Sequence, residues 1–216
     1  MDFTLWDILR NLLLAARWTL LLSIAAFIGG GTVGLLILMA RISKRSRVAK
    51  AAGLYIATFQ GTPLLMQLFL VFFGLPMLGF RIEAWTAAVL GLTLYASAFL
   101  AEIWRGGVEA IPEGQWDAAA SLGLHPFAQL RLIVLPQAFA ITRAPIVGFL
   151  VQLVKSTALT SIIGFDELVK TSNAINNATF EPFTVYGFVA LIYFAMCFPL
   201  TRYAKVLERR SAKAGR

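Results

Sequence analysis

Along the chain, long apolar runs alternate with short charged stretches. No charged residue occurs across Trp18–Ala40, Ala51–Phe80, Ala84–Ala101 or Pro182–Thr201. A helix crossing the hydrocarbon core of a bilayer needs about 20 apolar residues, so each run suffices. The first is too long for a signal-peptide core and follows Asp2 and Asp7, which marks an uncleaved membrane helix. Basic residues crowd two places, Arg41, Lys44, Arg45, Arg47 and Lys50 after the first run and Arg202, Lys205, Arg209, Arg210, Lys213 and Arg216 in the tail. The positive-inside rule assigns both to the cytoplasm. Parity then requires a further crossing between about Leu132 and Gly164, where Arg143, Pro145, Gln152 and Lys155 lower the apparent hydropathy.

The expectation is an all-α integral membrane protein in one domain spanning 1–216, with a periplasmic N-terminus and a cytoplasmic C-terminus. Its five transmembrane helices are placed at about 18–40, 53–78, 84–104, 138–162 and 182–203, with a cytoplasmic loop at about 106–136.

Composition agrees. Of 216 residues, 59% are hydrophobic and 14% charged, against about 45–50% and 25% in soluble domains; mean hydropathy is +0.76. The net charge of +8 resolves into the two orientation clusters and is no nucleic-acid footprint. One Cys and one His exclude a disulfide framework or a Cys/His metal cluster. The length is short for a carrier with both repeated halves in one chain, so a second copy or a partner is expected.

Several polar positions fall inside the runs. Gln60-Gly61-Thr62-Pro63 interrupts the second span. Pro63 removes a donor and frees the carbonyl near Phe59, which needs a partner within the protein or a wet path. A packing kink and a broken helix that meets substrate both fit. Lys155 lies twelve residues beyond Arg143, roughly 18 Å along a helix, and reads either as an outer-interface lysine or as part of a pathway. Ser156 and Thr157 follow it; Thr93, Tyr95 and Ser97 lie near mid-depth in the third span. Glu102 sits three residues from Arg105, so a local pair competes with a pathway role. Gly30 and Gly34 form a small-xxx-small face suited to close helix packing.

The loop has its own punctuation. Ile111-Pro112 starts a helix, Glu113 and Asp117 complement its N-terminus, and Gly123 is placed to stop it in a left-handed conformation. His125-Pro126 begins a second short helix whose apolar residues run to Pro136.

Asp117-Ala118-Ala119, Gly123 four residues on, and Ile133-x-Leu135-Pro136 resemble the EAA motif of permease subunits in binding-protein-dependent ABC importers, with Asp for the usual Glu. Gln60-Gly-Thr-Pro-Leu-Leu65, Ala101-Glu-Ile-Trp-Arg-Gly106, Ile111-Pro-Glu-Gly-Gln115 and Lys155-Ser-Thr-Ala-Leu159 are similar to the polar amino-acid (histidine/glutamine-type) branch. The resemblance covers about residues 15 to 205. It implies that the chain is the permease subunit of an ATP-driven amino-acid importer in a bacterial inner membrane. Asp117, Ala118, Ala119, Gly123, Leu124 and Pro136 would couple it to an ATP-binding subunit dimer. The other implied partners are a second permease, the same chain or a paralogue, a periplasmic substrate-binding protein and membrane lipid; nucleic acid is not one. The candidate substrate pathway comprises Gln60, Thr62, Tyr95, Ser97, Glu102, Gln152, Lys155, Ser156 and Thr157. Many relatives carry Asp where this chain has Ser156, which weighs against a purely cationic substrate, while Glu102 leaves that open. An amino-acid derivative, such as an opine-like compound, is the alternative cargo.

The chain has no Gly-x4-Gly-Lys-Ser/Thr loop, so ATP and Mg are assigned to the partner and no cofactor or metal to this chain. An intramembrane enzyme lacks its paired acids or His base, and an ion channel lacks a filter sequence.

Overall fold

The computed structural model describes residues 4–43 and 45–214, the last four of these as backbone only. Lys44 and Arg216 of the basic clusters lie outside the described residues, as does the side chain of Lys213. Among the described residues eight helical segments follow one another: α1 (Leu5–Arg41), α2 (Ser46–Gly61), α3 (Leu64–Met77), α4 (Ala84–Glu109), α5 (Glu113–Ser121), α6 (Pro126–Ser161), α7 (Leu168–Thr179) and α8 (Pro182–Ala214). Helices α1, α4, α6 and α8 are each long and apolar enough to cross a bilayer, and the bent pair α2–α3 makes a fifth.

Helix α1 starts well before the first charge-free run. A capping box fixes its start: the Thr4 Oγ1 accepts from the Asp7 backbone at 3.2 Å, and the Asp7 carboxylate accepts from the Thr4 backbone at 3.1 Å. Its 37 residues measure about 55 Å. The added turns exist because Ile8, Leu12 and Ala16 are buried against Leu168 and Ile175 of α7 and Val185, Val189 and Ile192 of α8. Arg10 and Arg17 stay on the exposed side, so charge marks the end of the apolar run without ending the helix.

Contacts set the direction of each segment. Trp18 meets Trp85, and Gly34 meets Ala101, so α1 and α4 are parallel. Tyr55 bonds Ser97 while Leu68 packs on Gly91, so α2–α3 returns antiparallel. Gly107 abuts Ala138 and Gln152 bonds Tyr95, so α6 is antiparallel to α4. Helix α8 packs Val185 and Val189 on the start of α1 and Cys197 on Val151 and Val154 of α6, so it runs parallel to α1. The described residues of both basic clusters and α5 therefore lie at one end of the bundle, the basic end.

A close seam joins α1 to α4. A Cβ at Gly30 would stand 2.5 Å from the Cβ of Ala96, and one at Gly34 3.0 Å from the Ser97 carbonyl. The small-xxx-small face thus brings two backbones together, as expected from its spacing.

Two prolines are accommodated in the same way. A π-helical turn at Leu70–Gly74 precedes Leu75-Pro76, and another at Leu130–Val134 precedes Leu135-Pro136. A proline lacks the donor and crowds the carbonyl of the preceding turn, and a widened turn relieves both faults. The short helix expected to end at Pro136 therefore does not end there; it continues through the π turn into α6, which begins at Pro126.

Candidate functional site

At the basic end, α4 leads into α5 through a turn closed by Ile111 N–H on the Val108 carbonyl at 3.2 Å. Pro112 is the residue before the first helical one, so α5 starts at Glu113. This corrects the expected first-turn proline by one position. Ile111, Val108, Val134 and Ala138 form a small core under α5, with Trp116 and Leu130 against it. Ala119 is the buried residue of α5, while Asp117, Ala118 and Ala120 face outward.

The helix stops at Gly123, whose φ of +71° is left-handed. Gly123 N–H bonds the Ala120 carbonyl at 2.9 Å and Leu124 N–H the Ala119 carbonyl at 3.3 Å, the paired closure of a Schellman motif. Gln129 Nε2 ties the turn down by donating to the Leu124 carbonyl at 2.7 Å. His125 caps the next helix, its Nδ1 accepting from Phe127 N–H at 3.4 Å. Leu124 is half-buried and Pro136 exposed. Sequence reasoning passed over Leu122, Phe127 and Leu132, which are 78%, 57% and 63% exposed; with Asp117 and Ala118 they give this end an apolar surface beside a carboxylate.

Deeper in the bundle, α2 and α3 meet at 105° across Thr62-Pro63. The carbonyl freed at Phe59 does find a partner: Gln67 Nε2 donates to Phe59 O at 2.9 Å, Thr62 O at 3.1 Å and Thr62 Oγ1 at 2.9 Å. Gln67 was not singled out from sequence. Its signal is a polar residue four positions after the proline, one turn into the new helix. Among the described residues the Gln67 Oε1 is buried without a partner, and it borders a cavity of about 360 Å³ that Thr62, Met66 and Leu94 also line. Gln60 is exposed beside the break.

A second polar cluster joins α4 to α6. Gln152 Nε2 donates to the Tyr95 hydroxyl at 2.8 Å. The Tyr95 ring lies 4.6 Å from Phe99, and Phe99 stacks on Phe149 at 5.5 Å and 12°. Gly148, Gln152 and Lys155 continue a stripe with Ile141 and Pro145 that this chain leaves exposed. Lys155 forms no ion pair within 4 Å among the described residues.

The remaining candidates do not join these clusters. Ser97 is buried, hydrogen-bonded to Tyr55 at 2.7 Å and donating to Leu94 O at 2.8 Å. Glu102 accepts from Arg105 Nε at 2.9 Å, and Arg105 also pairs with Glu109, the local use that spacing offered. Thr157 is buried and donates back to Val154 O at 2.7 Å; Ser156 is half-buried beside it.

One buried acid stands outside every expected site. Glu167, between α6 and α7, is fully shielded from solvent and caps α7 by accepting from Lys170 N–H at 2.9 Å. Its other oxygen accepts from Thr19 at 3.4 Å and Tyr193 at 3.5 Å. Burial pushes its pKa up to about 7 against the opposing pull of these bonds. The carboxyl therefore knots α1, α7 and α8 together.

Known proteins match this architecture along nearly its whole length. Residues 30–213 fit the family described as binding-protein-dependent transport system inner membrane component. The probable amino-acid ABC transporter permease protein YckA of Bacillus subtilis (strain 168) is 37% identical over 195 residues, covering 90% of this chain and 86% of the relative. The arginine transport system permease protein ArtQ of the same organism is 35% identical over 196 residues, covering 89% and 88%. A crystal structure of an amino acid ABC transporter with histidines superposes with a TM-score of 0.88 at 32% identity, covering 97% of this chain and 100% of that one. The MetNI methionine ABC transporter, at 20% identity and a TM-score of 0.70, shares the fold.

Proposed function

The chain belongs to the family of binding-protein-dependent transport system inner membrane components, and on that premise we propose that it is one permease subunit of an ATP-driven amino-acid importer in a bacterial inner membrane. The observation that carries the mechanism is the exposed stripe Gly148–Gln152–Lys155 on α6, beside the Gln152–Tyr95 bond. Lipid is a poor neighbour for an amide and an ammonium at membrane depth, whereas a second permease subunit and a wet path between the two suit both. Thr62, Tyr95, Gln152 and Lys155 border that path. The ammonium of Lys155 would attract a substrate carboxylate, and the Tyr95 and Gln152 groups would exchange their mutual bond for bonds to substrate. The second subunit is the same chain or a paralogue.

The basic end is assigned to the cytoplasm. There α5 and the exposed Leu122 and Phe127 would dock on a separate ATPase, which binds ATP and Mg because this chain has no phosphate-cradling loop. A binding protein would deliver substrate at the opposite end. Relatives named for amino acids support the cargo class. The test is reconstitution with the cognate ATPase and binding protein, followed by uptake across the twenty amino acids. Accumulation of at least one of them, dependent on both partners, supports the reading. Uptake confined to an opine-like derivative would reassign the cargo, and ATP-independent flux would indicate a channel.

A further inference from the structure

At the end opposite the basic clusters, a cavity of about 560 Å³ opens between α1, the start of α4 and the turn after α6. Three rings surround it: Trp18 and Trp85 at 6.1 Å, Trp85 and Phe165 at 5.3 Å, and Trp18 and Phe165 at 6.5 Å between centroids. Glu83 and Asp166 are its charged lining residues. Glu83 precedes the first residue of α4, where a carboxylate commonly caps, yet its side chain makes no capping bond and no ion pair among the described residues. Asp166 is partly committed to Lys170, at 3.1 Å. Lys170 also donates to the carbonyl of Gly164, whose φ of +91° turns the chain. That clamp holds Phe165 inward, 9% exposed.

Aromatic faces with an unspent carboxylate are the chemistry that receives an organic cation. The chain supplies its own example, because the Arg17 guanidinium lies over the Trp18 ring at 5.4 Å. Interfacial tryptophans that only anchor a helix have no need of mutual packing around a cavity, nor of a carboxylate at its rim. Trp85 lies ten residues from Tyr95 on α4, about 15 Å along the helix toward the open end.

We propose that this cavity is an outer receiving site for the cationic side-chain group of a basic amino acid, its guanidinium or ammonium lying in the cavity against the rings that wall it and neutralised by Glu83. The proposal rests on the amino-acid importer reading above. It adds a first station ahead of the pathway, with a preference the binding protein does not supply.

The intact complex with its ATPase, in lipid nanodiscs without the binding protein, is titrated with arginine and with citrulline, its neutral isostere. Intrinsic tryptophan emission reports occupancy. Arginine should give a saturable change and citrulline one at least tenfold weaker. Glu83→Gln, a conservative change at an exposed position, should weaken arginine about three- to tenfold and leave citrulline unaltered. Equal titration by the two ligands, or unchanged arginine binding in Glu83→Gln, overturns the proposal. A variant that loses only stimulation of ATP hydrolysis by the binding protein, with arginine titrating as before, also overturns it, since the cavity would then receive a basic side chain of that protein. If the wild-type complex imports no amino acid yet arginine still binds through Glu83, the site stands and the importer reading falls.

Discussion

The Gly123 turn offers the cleanest perturbation, because space and backbone conformation can be separated there. No atom other than its own neighbours lies within 4 Å of a Cβ built at Gly123, but its φ is +71°. A side chain therefore costs only the left-handed penalty, about 1–2 kcal/mol for an ordinary L-residue. Asn tolerates that region better than Ala. Two bonds close α5 through this turn, from the N–H groups of Gly123 and Leu124, and they orient Leu122 and Asp117 toward solvent. A penalty of 1–2 kcal/mol shifts the closed turn against frayed forms by about 5–30-fold. Gly123→Ala should then cut ATP-coupled uptake in proteoliposomes by up to that factor, with normal insertion and assembly, while Gly123→Asn retains more activity. Gly123→Asp places a second carboxylate on the proposed docking surface and should lose the most. Normal coupling in the Ala and Asp variants would refute the coupling assignment, and equal losses in Ala and Asn would refute the backbone explanation.

Gln67→Leu leaves the Phe59 and Thr62 carbonyls without their donor and should cost about 1–3 kcal/mol, read as a lower midpoint in thermal unfolding of the detergent-purified protein; an unchanged midpoint would mean that water serves the break equally well. Glu167, raised from 4.5 to about 7, binds its proton more tightly folded than unfolded. Its contribution is thus fully present below about pH 4.5 and lost as pH rises through about 7. The wild type should lose thermal stability between pH 5 and 8 relative to Glu167→Gln, and parallel profiles would remove this carboxyl as the cause. Gly30→Val would drive a side chain into Ala96, already 2.5 Å from a bare Cβ, and should abolish the folded protein in membranes; wild-type expression would contradict the α1–α4 seam.

Charge spacing and parity made the bundle legible from sequence, since lipid punishes ionisable groups and leaves few ways to thread a chain. The Pro63 break and the Gly123 stop were equally readable, because each depends on one residue's backbone chemistry. Other features depend on pairs far apart in the chain. Gln152 and Tyr95 meet over 57 positions and Glu167 and Thr19 over 148, separations at which periodicity carries no information. The two π turns escaped notice because one widened turn barely disturbs an apolar pattern, although Pro76 and Pro136 follow them at identical spacing. The early start of α1 was hidden by Arg10 and Arg17, whose side chains reach outward while their helix stays packed.

If this chain lines an energised path for amino acids with the α6 stripe facing it, ATP- and binding-protein-dependent uptake by the reconstituted complex must separate wild type from Lys155→Ala. Accumulation by the wild type and a loss of tenfold or more in the variant, with ATPase assembly unchanged, is the expected result. Equal uptake kinetics in the two would take Lys155 off the path, and uptake indifferent to ATP would contradict an energised path.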